Sequence, residues 1–248
     1  MSHEFQLAKS IELTATPDQV WDAIATGPGL DSWFMGRNEI EPGEGGRTSL
    51  TMAGTTERSQ VTGWEPGRRF AHRTEPGADG AFMAFEYLIE GRGQGSTVLR
   101  IAQSGVLSGD WETEFEAMQA GWDMYLASLA AYVEHFAGRT GVPVAAFRPG
   151  AGEPDHAWPV LLDALGIDTL EPGAAVRLDP EGLPAVDGVV AAARLPHWFG
   201  VRAADATYWF LHSGTRRGNV IVAGHHVFGD AEGAETAWQQ WLSAVKFD

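Results

Sequence analysis

The chain of 248 residues contains 33 acidic and 17 basic side chains, so its formal net charge is -16. Residues 1–140 carry 20 acidic and 10 basic side chains, and residues 141–248 carry 13 and 7. Neither half offers the basic surface that nucleic acids or anionic membranes attract. The absence of cysteine excludes disulfides, thiolate zinc sites and cysteine catalysis. With no apolar run of roughly 18 residues and no signal-peptide pattern, we expect a cytoplasmic protein.

The N-terminal pattern predicts a strand followed by a capped helix. Phe5 to Leu13 alternates loosely between apolar and polar residues. Thr16, Pro17 and Asp18 suit the N-cap, the first helical position and the first turn of a helix. Gly27-Pro28-Gly29 is expected to end that helix, and Trp33-Phe34 then falls on a turn.

Short strands separated by glycine-containing turns follow, and their hairpin-length spacing predicts an antiparallel sheet. The predicted strands cover residues 47–53, 57–64, 69–74, 81–90 and 96–106. Apolar residues then recur every three or four positions through 112–136, which predicts a long amphipathic helix. Such a helix lying across a curved sheet leaves a space that can hold a ligand.

Four short motifs of the first half recur in the same order in the second half, which indicates an internal duplication. Their offset falls from 137 to 116 residues, as expected if the second copy has shorter loops. The pairs are 16–21 with 153–158, 41–43 with 171–173, 70–73 with 199–202, and 121–126 with 237–242. We therefore predict domains at 1–138 and 142–248. The shorter second copy should enclose a smaller cavity or none; an unrelated C-terminal α+β domain is the alternative.

Several runs of the first half resemble the SRPBCC superfamily, and within it the group of proteins like the activator of Hsp90 ATPase. The runs are Ile11–Ile24, Leu30–Phe34, Gly45–Thr48, Val61–Phe70 and Gly121–Leu129. The resemblance implies an α+β helix-grip (START-like) fold, with a curved antiparallel sheet wrapped on a long C-terminal helix, followed here by a truncated second copy. Members bind lipids, steroids, polyketides or hormones; some are cyclases and some stimulate a chaperone ATPase.

Glu86, His72 and Arg73 are the candidate acid–base residues for a cyclase or hydratase. Alternation along the strand 81–90 leaves two arrangements open. Glu86 either faces the cavity among aromatic rings, with a raised pKa, or lies outside and pairs with an arginine, and we favour the second. Because His72 and Arg73 are adjacent, one of them must face inward.

Aromatic side chains form the expected ligand-binding surface, although ordinary core packing must explain several of them. Trp33 and Phe34 lie on a turn, where core packing explains two large rings less well. The expected set is Trp33, Phe34, Trp64, Phe70, Phe85, Tyr87, Trp111, Phe115, Met118 and Trp122.

Metal binding and cofactors are not expected. His225 and His226 are adjacent on a predicted strand and point to opposite faces, so they cannot easily share one ion, although His212 could approach either.

These observations support three hypotheses for function. The first is binding or sequestration of an apolar small molecule in the first domain, without catalysis. The second is a metal-free cyclase or hydratase acting on a polyketide-like ketone. The third is a chaperone-associated interaction module. Each hypothesis is compatible with a protein partner or a homodimer.

Overall fold

A computed structural model describes residues 2–77, 80–93, 95–107 and 109–247. The chain divides between Thr140 and Gly141 into two compact units, called here the first and the second unit. Each unit has its own antiparallel sheet.

The first unit is a seven-stranded sheet with a long closing helix. It begins with strand β1 (His3–Leu13) and helices α1 (Pro17–Ala25) and α2 (Gly27–Leu30), and it ends with α3 (Trp111–His135). The sheet order is β1-β7-β6-β5-β4-β3-β2, so the first strand pairs with the last. The six strands between α2 and α3 are β2 (Arg37–Ile40), β3 (Arg47–Met52), β4 (Thr55–Glu65), β5 (Arg69–Thr74), β6 (Phe82–Gly93) and β7 (Ser96–Leu107).

Thr16 begins α1 as predicted, and it does so through a capping box. Its hydroxyl accepts from the Gln19 N–H (3.3 Å), while the Gln19 side chain accepts from the Thr16 N–H (2.9 Å). The sequence predicted that α1 ends at Gly27-Pro28-Gly29, and this end point is corrected. The chain turns one residue earlier, at the extended Thr26, whose hydroxyl caps the short helix α2.

The second unit repeats this topology with fewer elements. It consists of β8 (Val142–Arg148), α4 (Pro154–Leu165), five further strands and α5 (Ala234–Ala244). Its sheet order is β8-β13-β12-β11-β10-β9, so its first strand again pairs with its last. The strands are β9 (Ala175–Leu178), β10 (Val186–Arg194), β11 (Trp198–Ala203), β12 (Ala206–His212) and β13 (Ile221–Val227), with a short 3₁₀ turn at Thr215–Arg217.

A β-bulge marks the correspondence between the two sheets. The register of β4 against β5 shifts between Val61 and Gly63, and that of β10 against β11 shifts between Val190 and Ala192. The two bulges are 129 residues apart, the same offset as the repeated motif at 70–73 and 199–202. A bulge is a specific local feature, and its recurrence supports the helix-grip fold with a truncated second copy.

The second unit has a filled interior. Most side chains that its sheet turns toward the core are at most 8% exposed, and together with Trp238 and Trp241 of α5 they form one apolar cluster. They include Val144, Ala146, Phe199, Val201, Tyr208, Phe210, Ile221 and Ala223.

No helix in the part of the chain that the structure describes is long and apolar enough to cross a membrane.

The two first helices provide a matched test of capping. Thr16→Ala removes a side-chain cap and should lower the free energy of unfolding by about 1 kcal/mol. Glu153, the N-cap of α4, makes no such hydrogen bond, so Glu153→Ala should change stability by less than about 0.5 kcal/mol. Urea unfolding of both variants measures this difference, and equal losses would contradict the assignment.

Candidate ligand cavity of the first unit

Aromatic rings connect the sheet of the first unit to its long helix. On the sheet, His72 stacks on Phe85 with ring centroids 4.7 Å apart, and Phe70 stacks on Tyr87 at 5.7 Å. Phe85 and Tyr87 both reach Trp122 of α3, at 6.5 and 6.3 Å. These rings share one side of the sheet because the paired positions of β5 and β6 face the same way.

The turn after α2 closes one end of this cluster. Phe34 packs against Tyr125 (4.6 Å) and Trp122 (6.0 Å) of α3. Trp33 is fully buried, and its indole N–H donates to the Ala23 carbonyl of α1 (2.9 Å). Trp33 therefore holds the turn in place as a core residue, while Phe34 presents its ring to the cluster.

The cluster is incompletely packed. His72 and Tyr125 lie among its rings, yet both side chains keep part of their surface uncovered. Uncovered surface deep inside a protein borders a cavity. Phe85, Met83 and Met118 are likewise only partly covered, although their register and contacts place them between sheet and helix. The corresponding side of the second unit is filled.

His72 is an uncharged polar group in this space. Burial lowers the pKa of its imidazole from the usual 6.5 to about 4. Its Nδ1 is buried and has no hydrogen-bond partner among the described residues. A neutral imidazole offers one donor and one acceptor, so a bound molecule could satisfy a group that the protein leaves unsatisfied.

Two phenols add further neutral hydrogen-bonding capacity. Burial raises the pKa of Tyr87 and of Tyr125 well above the usual 10, so both stay protonated. In the part of the chain that the structure describes, neither hydroxyl makes a hydrogen bond. Tyr125 was not in the expected ligand-binding set, although its position three residues after Trp122 on the same helix face predicts this placement.

Gln103 of β7 fixes the geometry of the cluster. Its Oε1 accepts from the Trp122 indole N–H (2.6 Å), and its Nε2 donates toward the sulfurs of Met83 (3.4 Å) and Met118 (3.3 Å). Gln103 is 3% exposed. The sequence analysis missed it, although strand alternation would have placed it on the inner face with Leu99 and Ile101.

Glu86 and Arg73 lie on the opposite face of the sheet, away from the aromatic cluster. Glu86 accepts from Arg69 Nε at 2.7 Å, which is the arrangement that the sequence analysis favoured. Arg69 crosses Gly63, where a Cβ would lie 2.2 Å from its guanidinium. Arg73 covers the Phe82 ring at 3.8 Å. The acid–base roles considered for Glu86 and Arg73 are therefore corrected, because neither side chain reaches the cavity.

Three expected ligand-binding residues lie at the margins. Trp64 packs edge-on against Phe70 (5.7 Å) and Trp21 (5.0 Å). Phe115 meets Phe5 of β1 edge-on at 6.2 Å. Trp111, at the start of α3, stacks on His3 with ring centroids 3.7 Å apart.

The histidines of the second unit do not converge. His225 faces the core against Trp238 (4.3 Å), whereas His226 lies on the other face beside Thr207. His212 is hydrogen bonded to the Gly152 carbonyl (3.0 Å). Among the described residues, no three histidine or carboxylate side chains are grouped closely enough to hold a metal ion.

The strand–helix–sheet–helix order and the enclosed aromatic space define a helix-grip domain. The family model "Activator of Hsp90 ATPase homolog 1-like protein" matches residues 14–134. The match covers most of the first unit, and the resemblance noted from the sequence is confirmed for that unit. A search of curated proteins found no match.

Solved structures with a related fold include one- and two-domain proteins. DynU16, from the dynemicin biosynthetic locus, shares 19% identity over 96% of this chain and 94% of its own, with a TM-score of 0.47. The di-domain ARO/CYC BexL of the BE-7585A biosynthetic pathway shares 12% over 95% and 88%, at 0.48. MLL2253 from Mesorhizobium loti shares 18% over 53% and 98%, at 0.47. Because the identities and TM-scores are low, these structures assign no activity to this chain.

Gln103→Leu should destabilise the first unit by about 1–3 kcal/mol, because the buried Trp122 N–H loses its acceptor. Glu86→Gln weakens a partly exposed ion pair with Arg69 and should cost less than about 1 kcal/mol. Urea unfolding of the two variants compares them directly. A loss at Glu86 equal to that at Gln103 would contradict the assignment of Gln103 as the anchor.

His72 should make stability depend on pH in one direction. Between pH 6.5 and about 4, His72 is protonated in the unfolded chain, whereas its buried imidazole stays neutral in the folded protein. The free energy of unfolding should therefore fall as the pH is lowered through that window, by up to about 3 kcal/mol. Unfolding of His72→Phe should lack this part of the slope. An unchanged slope in the variant would show that His72 is not held neutral.

Proposed function

We propose that the first domain, residues 1–138, binds an apolar, aromatic small molecule between its sheet and α3. The observation that carries the proposal is the enclosed but incompletely covered aromatic surface around Trp122. Ligand sites are typically concave, largely apolar and provided with a few polar groups that set orientation. The second domain, residues 142–248, has the same frame with a filled core, and we propose that it has no equivalent site.

The family match of the first unit supports this proposal without naming the ligand. Helix-grip proteins use the space between sheet and helix for small hydrophobic molecules, but one fold hosts many activities. The chaperone activation in the family's name would require a surface for a protein partner. The features described above lie inside the domain, so we favour a small molecule as the partner.

A cyclase or hydratase is the second candidate, and His72 is the observation that favours it. Of the three acid–base residues considered, His72 alone lies in the cavity. A neutral imidazole beside Tyr87 could move a proton at a bound ketone. Because neither Glu86 nor Arg73 accompanies it there, we rank catalysis below binding.

Native mass spectrometry of the purified protein, followed by a screen monitored through tryptophan fluorescence, tests binding. We expect two- and three-ring aromatic compounds such as naphthalene and phenanthrene to quench fluorescence and raise the melting temperature. If no such compound did either, the proposed function would fail.

Phe85 and Leu88 provide a matched pair on β6. Phe85→Ala removes a ring from the cavity wall and should weaken phenanthrene binding about tenfold or more. Leu88 is 40% exposed on the other face, so Leu88→Ala should leave the affinity within about twofold. Fluorescence titration of both variants measures this. Equal effects would place the ligand elsewhere.

A further inference from the structure

We infer that the cavity selects uncharged aromatic molecules bearing hydroxyl or carbonyl oxygens, and that it rejects ionised carboxylates of the same shape. This inference rests on the proposed function, since it concerns the ligand of that site. It follows from which polar groups reach the cavity and from how each of them is held.

The polar groups without partners are all neutral. His72, Tyr87 and Tyr125 each have hydrogen-bonding capacity that the described residues do not use. His72 stacks on Phe85 and Tyr87, which both reach Trp122, and Tyr125 lies 6.5 Å from that indole. A planar ligand lying against Trp122 would therefore meet neutral hydrogen-bonding groups of the sheet and of α3.

The charged groups near this space are neutralised or distant. Lys9, on the inner face of β1, forms an ion pair with Asp123 of α3. Glu86 is paired with Arg69 on the outer face. Glu57 faces the same side as the cluster but lies toward the sheet edge on an exposed stretch of β4. Placing an ionised carboxylate beside Trp122 would thus bury a charge without a counter-ion, which is strongly unfavourable.

Transferring a phenol from water into the cavity costs much less free energy than transferring a carboxylate. Its hydroxyl can donate to the neutral imidazole or accept from a tyrosine, so its hydrogen bonds to water are replaced. A hydrocarbon of the same shape has no hydrogen bonds to water to lose. It leaves the polar groups of His72 and Tyr125 without hydrogen-bond partners. We therefore expect affinity in the order phenol, hydrocarbon, carboxylate.

Naphthalene, 2-naphthol and 2-naphthoate provide the test near pH 7, where the phenol is neutral and the carboxylate is ionised. Titration of the full-length protein should show 2-naphthol binding about fivefold tighter than naphthalene and at least about tenfold tighter than 2-naphthoate. Tyr125→Phe and His72→Phe should each reduce the preference for 2-naphthol over naphthalene.

Tyr132→Phe is the matched control on the same helix, because the Tyr132 hydroxyl already donates to the Arg139 carbonyl (3.2 Å). It should leave all three affinities within about twofold. Measurable naphthalene binding in the variants shows that the cavity is intact; if one variant fails to fold, Tyr87→Phe replaces it.

The outcomes separate the two proposals. Binding of 2-naphthoate as tight as that of 2-naphthol would overturn the inference about charge and leave the proposed function standing. The same holds if the preference for 2-naphthol survived in both variants. Failure of all three compounds to bind would count against the proposed function itself, and the inference would fall with it.

Discussion

The hydrogen bond between Gln103 and the Trp122 indole is the contact on which the interior of the first unit depends. It joins β7, next to the edge strand β1, to the middle of α3, and it does so with a side chain that also contacts two methionine sulfurs. Most buried polar groups in proteins are paired, and this pair fixes where the helix can lie. The ion pair between Lys9 and Asp123 holds the same stretch of α3 to β1. Because these two contacts fix α3 on the sheet, the aromatic rings between them can line a space rather than fill it.

The second unit shows what the same topology does without that arrangement. Its sheet repeats the strand order and the bulge of the first, but β2 and α2 have no counterpart. Its closing helix has 11 residues where α3 has 25. Phe199, Phe210 and Trp238 fill the interior. A shorter frame around side chains of similar size thus gives a close-packed core.

Strand periodicity predicted the features that depend on local pattern. It indicated that Glu86 lies outside with an arginine partner, because only then do Phe85 and Tyr87 face inward. The N-cap at Thr16 and the repeat were also predicted from short motifs. The environments of Trp33 and Phe34 were harder to predict, since neighbouring residues on one turn differ in burial. Only the tertiary fold decides which ring is buried.

The missed elements have physical reasons as well. β2 is four residues long, too short for a periodic signal, and it is recognisable only through its pairing with β3. Gln103 has a polar side chain, so a search for apolar lining residues passes over it, and its role comes from three contacts with residues 15 to 20 positions away in sequence. The unsatisfied state of His72 is likewise a property of its surroundings, which no local pattern encodes.

A crystal structure under xenon pressure tests the central claim most directly, because xenon occupies apolar cavities and is excluded from close-packed cores. The account predicts xenon in the first unit, next to Phe85, Met118, Trp122 and Tyr125, and none in the core around Phe210 and Trp238. Xenon in the second unit alone, or an unoccupied first unit whose rings close on one another, would contradict it.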